Sequence, residues 1–419
     1  MVDKCEFTSS TPEMTIHVVG GVYQEHCTHP KWNHTYGSAG RAAIAIGSMG
    51  ASVVLHSYMG SDAKDEISQM AAWLGDVQIQ AAPISGCVAF SYLHDMAVPT
   101  IYGVPKPLYQ NLNIRETKVV RFGMLEGDAV VDAEWAVYDP QNAGAVVSFG
   151  ANGSQAKHLA LVLNAWEARQ LAEMPDQSPE ACAPVIAQKE GAEVVVIKMG
   201  PRGALVWFEG AASMVPAYRT KNVWKIGSGD CFVAHFANEW MGKGKSAADS
   251  ARAASLATAF YCEHQQLPTI EDLRGFNPPE VEISAAYASG EQREVYLAGP
   301  FFDLSQIWLV EQARDGLREV GLKVFSPYHD IGLGSADDVV EKDLQAIRKA
   351  HLVFAVVDGL DAGTVYEVGY ARALGKPVVV YSEREKVGES LKMMEGSSCV
   401  MCTNFATSIY SALWEAVKI

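Results

Sequence analysis

Trp224-Lys225-Ile226-Gly227-Ser228-Gly229-Asp230-Cys231-Phe232, continuing through Val233–Met241, is the stretch on which the reading of this chain turns. Two glycines flank a serine, an acid follows, and a helical pattern begins at once. Val233, Phe236, Ala237 and Trp240 fall at the spacing of one buried helix face, with Asp230 one turn upstream on that side. A glycine turn at a helix N-terminus presents backbone N–H groups that lack intrahelical acceptors, together with the positive end of the helix dipole. It therefore suits a phosphate. An aspartate at that place can take a proton from a hydroxyl attacking the phosphate. The same residues also describe a plain glycine turn with Asp230 as a capping acid. The rest of the chain decides between the two.

The chain has 419 residues, 49% of them hydrophobic and 20% charged, which is enough for two or three ordinary globular cores. Its net charge of −16, with no lysine or arginine run, argues against a nucleic-acid or anionic-membrane surface and fits the handling of small molecules. No uninterrupted apolar run reaches transmembrane length, and the opening MVDKCEFTSS lacks a signal-peptide core, so a cytoplasmic protein is expected. The eight cysteines are scattered and read as reduced thiols; Cys399-x-x-Cys402 has no second pair. His26, Cys27, His29 and His34 gather in an expected loop. Without further ligands at metal-site spacing, they read as solvated or substrate-facing histidines.

In chain order, Thr15–Val19 is a short apolar strand ending in Gly20-Gly21, and Gly37-Ser38-Ala39-Gly40-Arg41 leads into a small-residue helix over Ala42–Gly47. Ser52–His56 is a strand, and a helix from Gly60-Ser61-Asp62 reaches Leu74. Four short strands are expected over 77–81, 87–94, 100–104 and 118–122. From residue 135, strands over 135–138, 159–163, 193–198 and 204–208 indicate a parallel sheet covered on both faces. Residues 276–292, FNPPEVEISAAYASGEQ, carry prolines and no strong period and read as a linker between domains 1–275 and 293–419. After it the strand–helix rhythm restarts as a second α/β unit.

Five separated motifs of the first domain occur in one order: Gly37-Ser38-Ala39-Gly40-Arg41, Gly60-Ser61-Asp62, Asn164-x-x-Glu167, Lys198-Met199-Gly200-x-x-Gly203 and Gly227-Ser228-Gly229-Asp230. Together they resemble the ribokinase-like (PfkB-type) carbohydrate and nucleoside kinases. The resemblance implies a three-layer α/β/α domain with a small β lid, formed by the strands of 77–122. It also implies ATP and Mg²⁺ as cofactors and transfer of the γ-phosphate to a sugar hydroxyl. By the same resemblance Asp230 is the base, and Gly227, Ser228 and Gly229 form the anion hole. Asn164 and Glu167 position Mg²⁺ through phosphates and water, while Lys198, Gly200 and Gly203 face the nucleotide. Gly37, Gly40, Arg41 and Glu25 (or Gln24) face the acceptor. The family usually carries an acid and threonines before the glycine turn, where this chain has Trp224, Lys225 and Ile226.

In the second domain, Asp361-Ala362-Gly363-Thr364-Val365-Tyr366-Glu367 opens a helix on which Glu367 shares the apolar side with Ala371 and Leu374. A carboxylate that is ionised but poorly solvated there is a competent nucleophile. Asp343, Tyr296 and the Gly299-Pro300-Phe301-Phe302 loop can converge with it at strand ends. These motifs resemble the nucleoside 2-deoxyribosyltransferases and related N-glycosidases, over about 293–405, and imply a Rossmann/flavodoxin-like parallel sheet. The resemblance implies that Glu367 attacks C1′ and that Tyr296 holds it in line. Asp343 and Asp361 would bind sugar hydroxyls or orient the leaving base, with Phe301 and Phe302 stacking on that base. A homo-oligomer, dimer or higher, is implied too, with a neighbour's segment near Met393–Val400 completing the site.

The expected function is a bifunctional enzyme acting on a nucleoside, nucleotide or pentose, with hydrolysis and transfer both open. The substitution before the glycine turn supports an alternative, in which the kinase-like half is a binding module gating the N-glycosidase. A scaffold with both sites inactive is the third possibility.

Overall fold

The computed structural model describes residues 15–141, 146–332 and 334–419; the opening MVDKCEFTSS lies outside the described residues. Three sheets organise the described residues. The largest has nine strands, in the order Ala211–Val215, Ala204–Phe208, Val194–Lys198, Gln155–Asn164, Ala129–Asp139, Leu112–Phe122, Ile16–Val19, Val53–Met59 and Val77–Pro83. Seven of these run parallel, and the stretches at the centre of the sheet are apolar because helices cover both faces. The other two, Ala204–Phe208 and Ala211–Val215, are antiparallel additions at one edge, contrary to the expected all-parallel run. A short turn at Gly203 allows that reversal, because it returns the chain beside Val194–Lys198 without a crossover helix.

The lid also differs from expectation. Val77–Pro83 and Leu112–Phe122 belong to the main sheet, and the separate four-stranded sheet is built from Trp32–Thr35, Gln24–His29, Ala89–His94 and Thr100–Tyr102. The histidine cluster is therefore strand rather than loop. His26 and Cys27 lie on Gln24–His29 and His34 on the paired strand, and alternation along these strands sends Glu25 and Cys27 inward.

The second unit has five parallel strands, in the order Lys323–Phe325, Glu294–Ala298, Leu352–Val356, Val378–Tyr381 and Val400–Cys402. Apolar clusters cover both of its faces. Chain order reverses on either side of Glu294–Ala298, which makes its carboxyl end a topological switch point, the usual place for a ligand in such sheets.

Residues 276–292 do not hang free. Val281 N–H donates to Ala217 O and Ser284 N–H to Val417 O, while Val281, Ile283 and Tyr287 pack on the second core. Further bonds join the units: Val223 N–H to Thr407 Oγ1 at 3.0 Å, Arg219 to Glu415 at 2.8 Å, and His94 to Gln312 at 2.9 Å. No helix among the described residues is long and apolar enough to cross a membrane.

Candidate active sites

The glycine turn is built as the sequence requires. Gly227 has φ +78°, a left-handed conformation that a side chain would strain, and a Cβ there would lie 2.1 Å from the Arg41 guanidinium. The helix Ser228–Ala237 begins at once and is buried on nearly every side, a broader burial than the single stripe read from its spacing. Lys198 stands beside the turn, since a Cβ on Gly229 would be 3.4 Å from its Nζ.

Asp230 is not free. Arg41 Nη1 donates to its Oδ2 at 2.7 Å, and the other arm of the same guanidinium ion-pairs with Glu25. All three side chains are buried, so this acid–arginine–acid array is a fixed part of the pocket and not a surface contact. It lines a cavity of about 480 Å³ with Gly37, Tyr92 and Gly229. Gly37, at φ +60°, is required there because a Cβ would strike Gly21 O at 2.5 Å. Gly40, by contrast, packs toward Ile67 and does not line the cavity.

Asn164 and Glu167 form a reciprocal capping box on the helix Ala165–Ala172. Asn164 Oδ1 accepts from Glu167 N–H at 2.8 Å, and Glu167 Oε2 accepts from Asn164 N–H at 2.7 Å. One Glu167 oxygen is thus used locally. Sequence reading missed Asp139, wholly buried at the end of its strand, where Lys198 Nζ approaches its Oδ2 at 3.4 Å. Burial raises the Asp139 carboxyl to about 7, against the pull of Lys198. Burial alone would lower Lys198, but Asp139, Glu167 and Asp230 outweigh it and leave the ammonium raised. The signal that could have found Asp139 was an acid placed just after an apolar strand, where ligands collect in α/β sheets. Among the described residues, no group of three or more His, Cys, Asp or Glu is placed to hold a metal ion directly.

The segment replacing the usual acid and threonines has a structural account. Trp224 is fully buried with its ring 5.0 Å from that of Trp32, and Ile226 O accepts from Tyr261. Lys225 Nζ lies 5.3 Å from the centre of the Tyr410 ring in the second unit.

In that unit Tyr296, Glu367, Asp343 and Asp361 come together at the switch point. The Tyr296 hydroxyl donates to Glu367 Oε1 at 2.5 Å. Burial lifts the Glu367 carboxyl to about 7, the tyrosine bond opposing it and Asp343 and Asp361 adding to it. Burial also raises Asp343, whose Oδ1 is buried without a partner. Tyr296 is raised as well, by burial and then by Glu367 beside it. Asp361 caps the helix Ala362–Ala373, its Oδ2 accepting from Thr364 N–H at 2.8 Å and from the Thr364 hydroxyl at 3.0 Å. Phe301 stacks on Phe302 at 5.5 Å, and Phe302 is 73% exposed. Gly299 is a packing glycine against Val310 and Val356, while Pro300 lines a separate cavity shared with His29 of the lid.

Two family models match the chain: pfkB family carbohydrate kinase over residues 154–271, and Nucleoside 2-deoxyribosyltransferase over residues 295–399. Over 132 residues, 30% of this chain and 90% of the relative, it is 28% identical to a protein of Thermofilum pendens provisionally named 2'-deoxynucleoside 5'-phosphate N-hydrolase 1. Among solved structures, fructokinase from Vibrio cholerae O395 in a fructose-, ADP- and calcium-ion-bound form aligns with a TM-score of 0.50 at 14% identity, over 63% of this chain and 99% of that one. A double mutant of that fructokinase with fructose, ADP and potassium ion gives 0.51 at 15% identity, over 63% and 98%. The chain is thus similar to pfkB family carbohydrate kinases in its first unit and to nucleoside 2-deoxyribosyltransferases in its second.

Proposed function

We propose that the chain is a bifunctional nucleoside-metabolising enzyme, with a kinase domain over 1–275, a linker over 276–292 and an N-glycosidic domain over 293–419. The observation that carries the reading is the Tyr296–Glu367 pair, a half-buried carboxylate held by a phenol at a sheet switch point. In its ionised form Glu367 attacks C1′ of a (deoxy)nucleoside or nucleotide. The bond to the base breaks and a glycosyl-enzyme forms. Tyr296 keeps the carboxylate in line, and Asp343, raised by burial, is suited to protonate the departing base. Asp361 keeps one oxygen for a sugar hydroxyl after capping its helix, and Phe301 and Phe302 offer the base a ring face. Water then gives hydrolysis, and a second base gives transfer.

In the kinase domain, Asp230 takes the proton of an acceptor hydroxyl on a sugar or nucleoside. The residues around the glycine turn fit a polyphosphate: Gly227, Ser228 and Gly229 open a helix N-terminus, and the raised Lys198 stands beside it. Lys198, Gly200 and Gly203 would hold ATP, and Glu167 would meet Mg²⁺ through water with the oxygen its cap leaves over. The ion would neutralise charge on the transferred phosphate. Asp139, paired with Lys198, positions the lysine ammonium. The resemblance further supports a homo-oligomer.

Incubating the full chain with ATP, Mg²⁺ and a panel of nucleosides, nucleotides and pentoses, followed by mass spectrometry, tests both halves. Free base and a phosphorylated sugar or nucleoside are expected; neither product across the panel would sink the reading.

The Arg41–Asp230 ion pair favours a second reading, in which the kinase-like half binds nucleotide and gates the N-glycosidase without turning over. To act as base, Asp230 must share or lose that partner when the acceptor enters. Loss of phosphorylated product in Asp230→Asn supports turnover. ATP binding with no product, together with a changed rate of base release, supports gating.

A further inference from the structure

A second cavity, of about 380 Å³, adjoins the glycine turn on the side away from the acceptor residues Glu25 and Arg41, which do not line it. Its volume is that of a nucleotide-sized pocket. Gly200 and Gly229 give it exposed backbone, and Thr258 and Ala259 give it the small side chains of one helix. Two further lining residues come from the other domain: Tyr410 and Trp414, one turn apart on the last helix, Phe405–Lys418.

These rings are held in place from both sides. Their centroids are 6.0 Å apart, and Trp414 is 6% exposed. The Arg219 guanidinium lies 5.8 Å from the Trp414 ring and is itself tied to Glu415. Lys225, one of the residues that depart from the family pattern, faces Tyr410. The Val223 N–H bond to Thr407 anchors the first turn of the helix. The rings thus form a positioned aromatic wall on a cavity whose kinase-side lining combines glycines and small side chains with the Lys198 ammonium.

We propose that the last helix of the deoxyribosyltransferase domain completes the nucleotide site of the kinase domain, with Tyr410 and Trp414 taking the flat base of an adenine nucleotide. This rests on the reading of that cavity as the nucleotide site. Base–aromatic contact uses the ring face and needs only a held ring and space beside it, both present here. The two domains therefore share one binding site, and Lys225 replaces the family pattern because it must meet Tyr410 as well as the phosphate turn.

Titration calorimetry of the full chain with ADP, and separately with pyrophosphate, tests this. Tyr410→Ala should weaken ADP at least tenfold and move pyrophosphate, which has no base, less than twofold. Trp414→Phe, which keeps a ring and the packing, should weaken ADP less than Tyr410→Ala does. Ala259→Trp, which fills the cavity from the kinase side, should abolish ADP binding. If Ala259→Trp does so while Tyr410→Ala leaves ADP unchanged, the shared wall is wrong and the nucleotide site stands. If ADP and pyrophosphate fall together in Tyr410→Ala, the ring acts on the fold and the proposal is overturned. If ADP binds every variant equally, the nucleotide-site reading fails first.

Discussion

At the scale of single residues, Glu367 sets the pH behaviour. In the proposed mechanism only the carboxylate attacks, so base release should rise with pH through about 7, the value to which burial lifts it; a rate profile over pH 5–9 checks this. The stability sign is opposite. Because the folded pKa lies above the ordinary one, the contribution of this group is fully present below about 4.5 and lost as pH rises through 7. Glu367→Gln should therefore abolish base release yet be more stable than the parent at pH 8, by roughly 1–3 kcal/mol, with little difference at pH 4.5. Urea melts at the two pH values read it. Arg41 works the other way: Arg41→Met leaves Glu25 and Asp230 buried without their counter-charge and should cost about 3–5 kcal/mol. An unchanged urea midpoint would show that the pocket does not need the ion pair.

At the scale of elements, a residue that caps and a residue that binds can be the same. The Asn164–Glu167 box starts the helix Ala165–Ala172, so Asn164→Ala should lower stability by about 1 kcal/mol whatever it does to phosphate transfer. Chemical denaturation with and without ADP separates the two roles. The glycine turn made the start of its helix legible, because the chain enters there through a left-handed φ that glycine supplies. The lid was misassigned for a physical reason. Short strands of mixed polarity look alike whether they border a main sheet or form a separate one, and only long-range pairing, such as Gln24–His29 with Ala89–His94, tells them apart.

At the scale of the whole molecule, the units are joined by the linker, the lid and the last helix, so they should melt together. Calorimetry should give one transition, raised by about 2.7 kcal/mol of stability when ADP is at a hundred times its Kd. Two transitions, with only one moved by ADP, would show that the units are independent. The sequence by itself determined the two fold types and singled out the candidate residues: the glycine turn with Asp230, and the Asp361–Glu367 helix with Tyr296. Those features are local, fixed by backbone conformation and helical spacing within a few residues. Only the tertiary structure decided what each group faces. It placed Arg41 on Asp230, Asp139 under Lys198, and Tyr410 and Trp414 in a pocket of the other domain. Those partners lie 189, 59 and scores of residues away in the chain, and pairings at that range are set by packing, which periodicity does not encode. The turn at Gly227–Asp230 was legible as a glycine turn opening a helix; that its acid already holds an arginine was not.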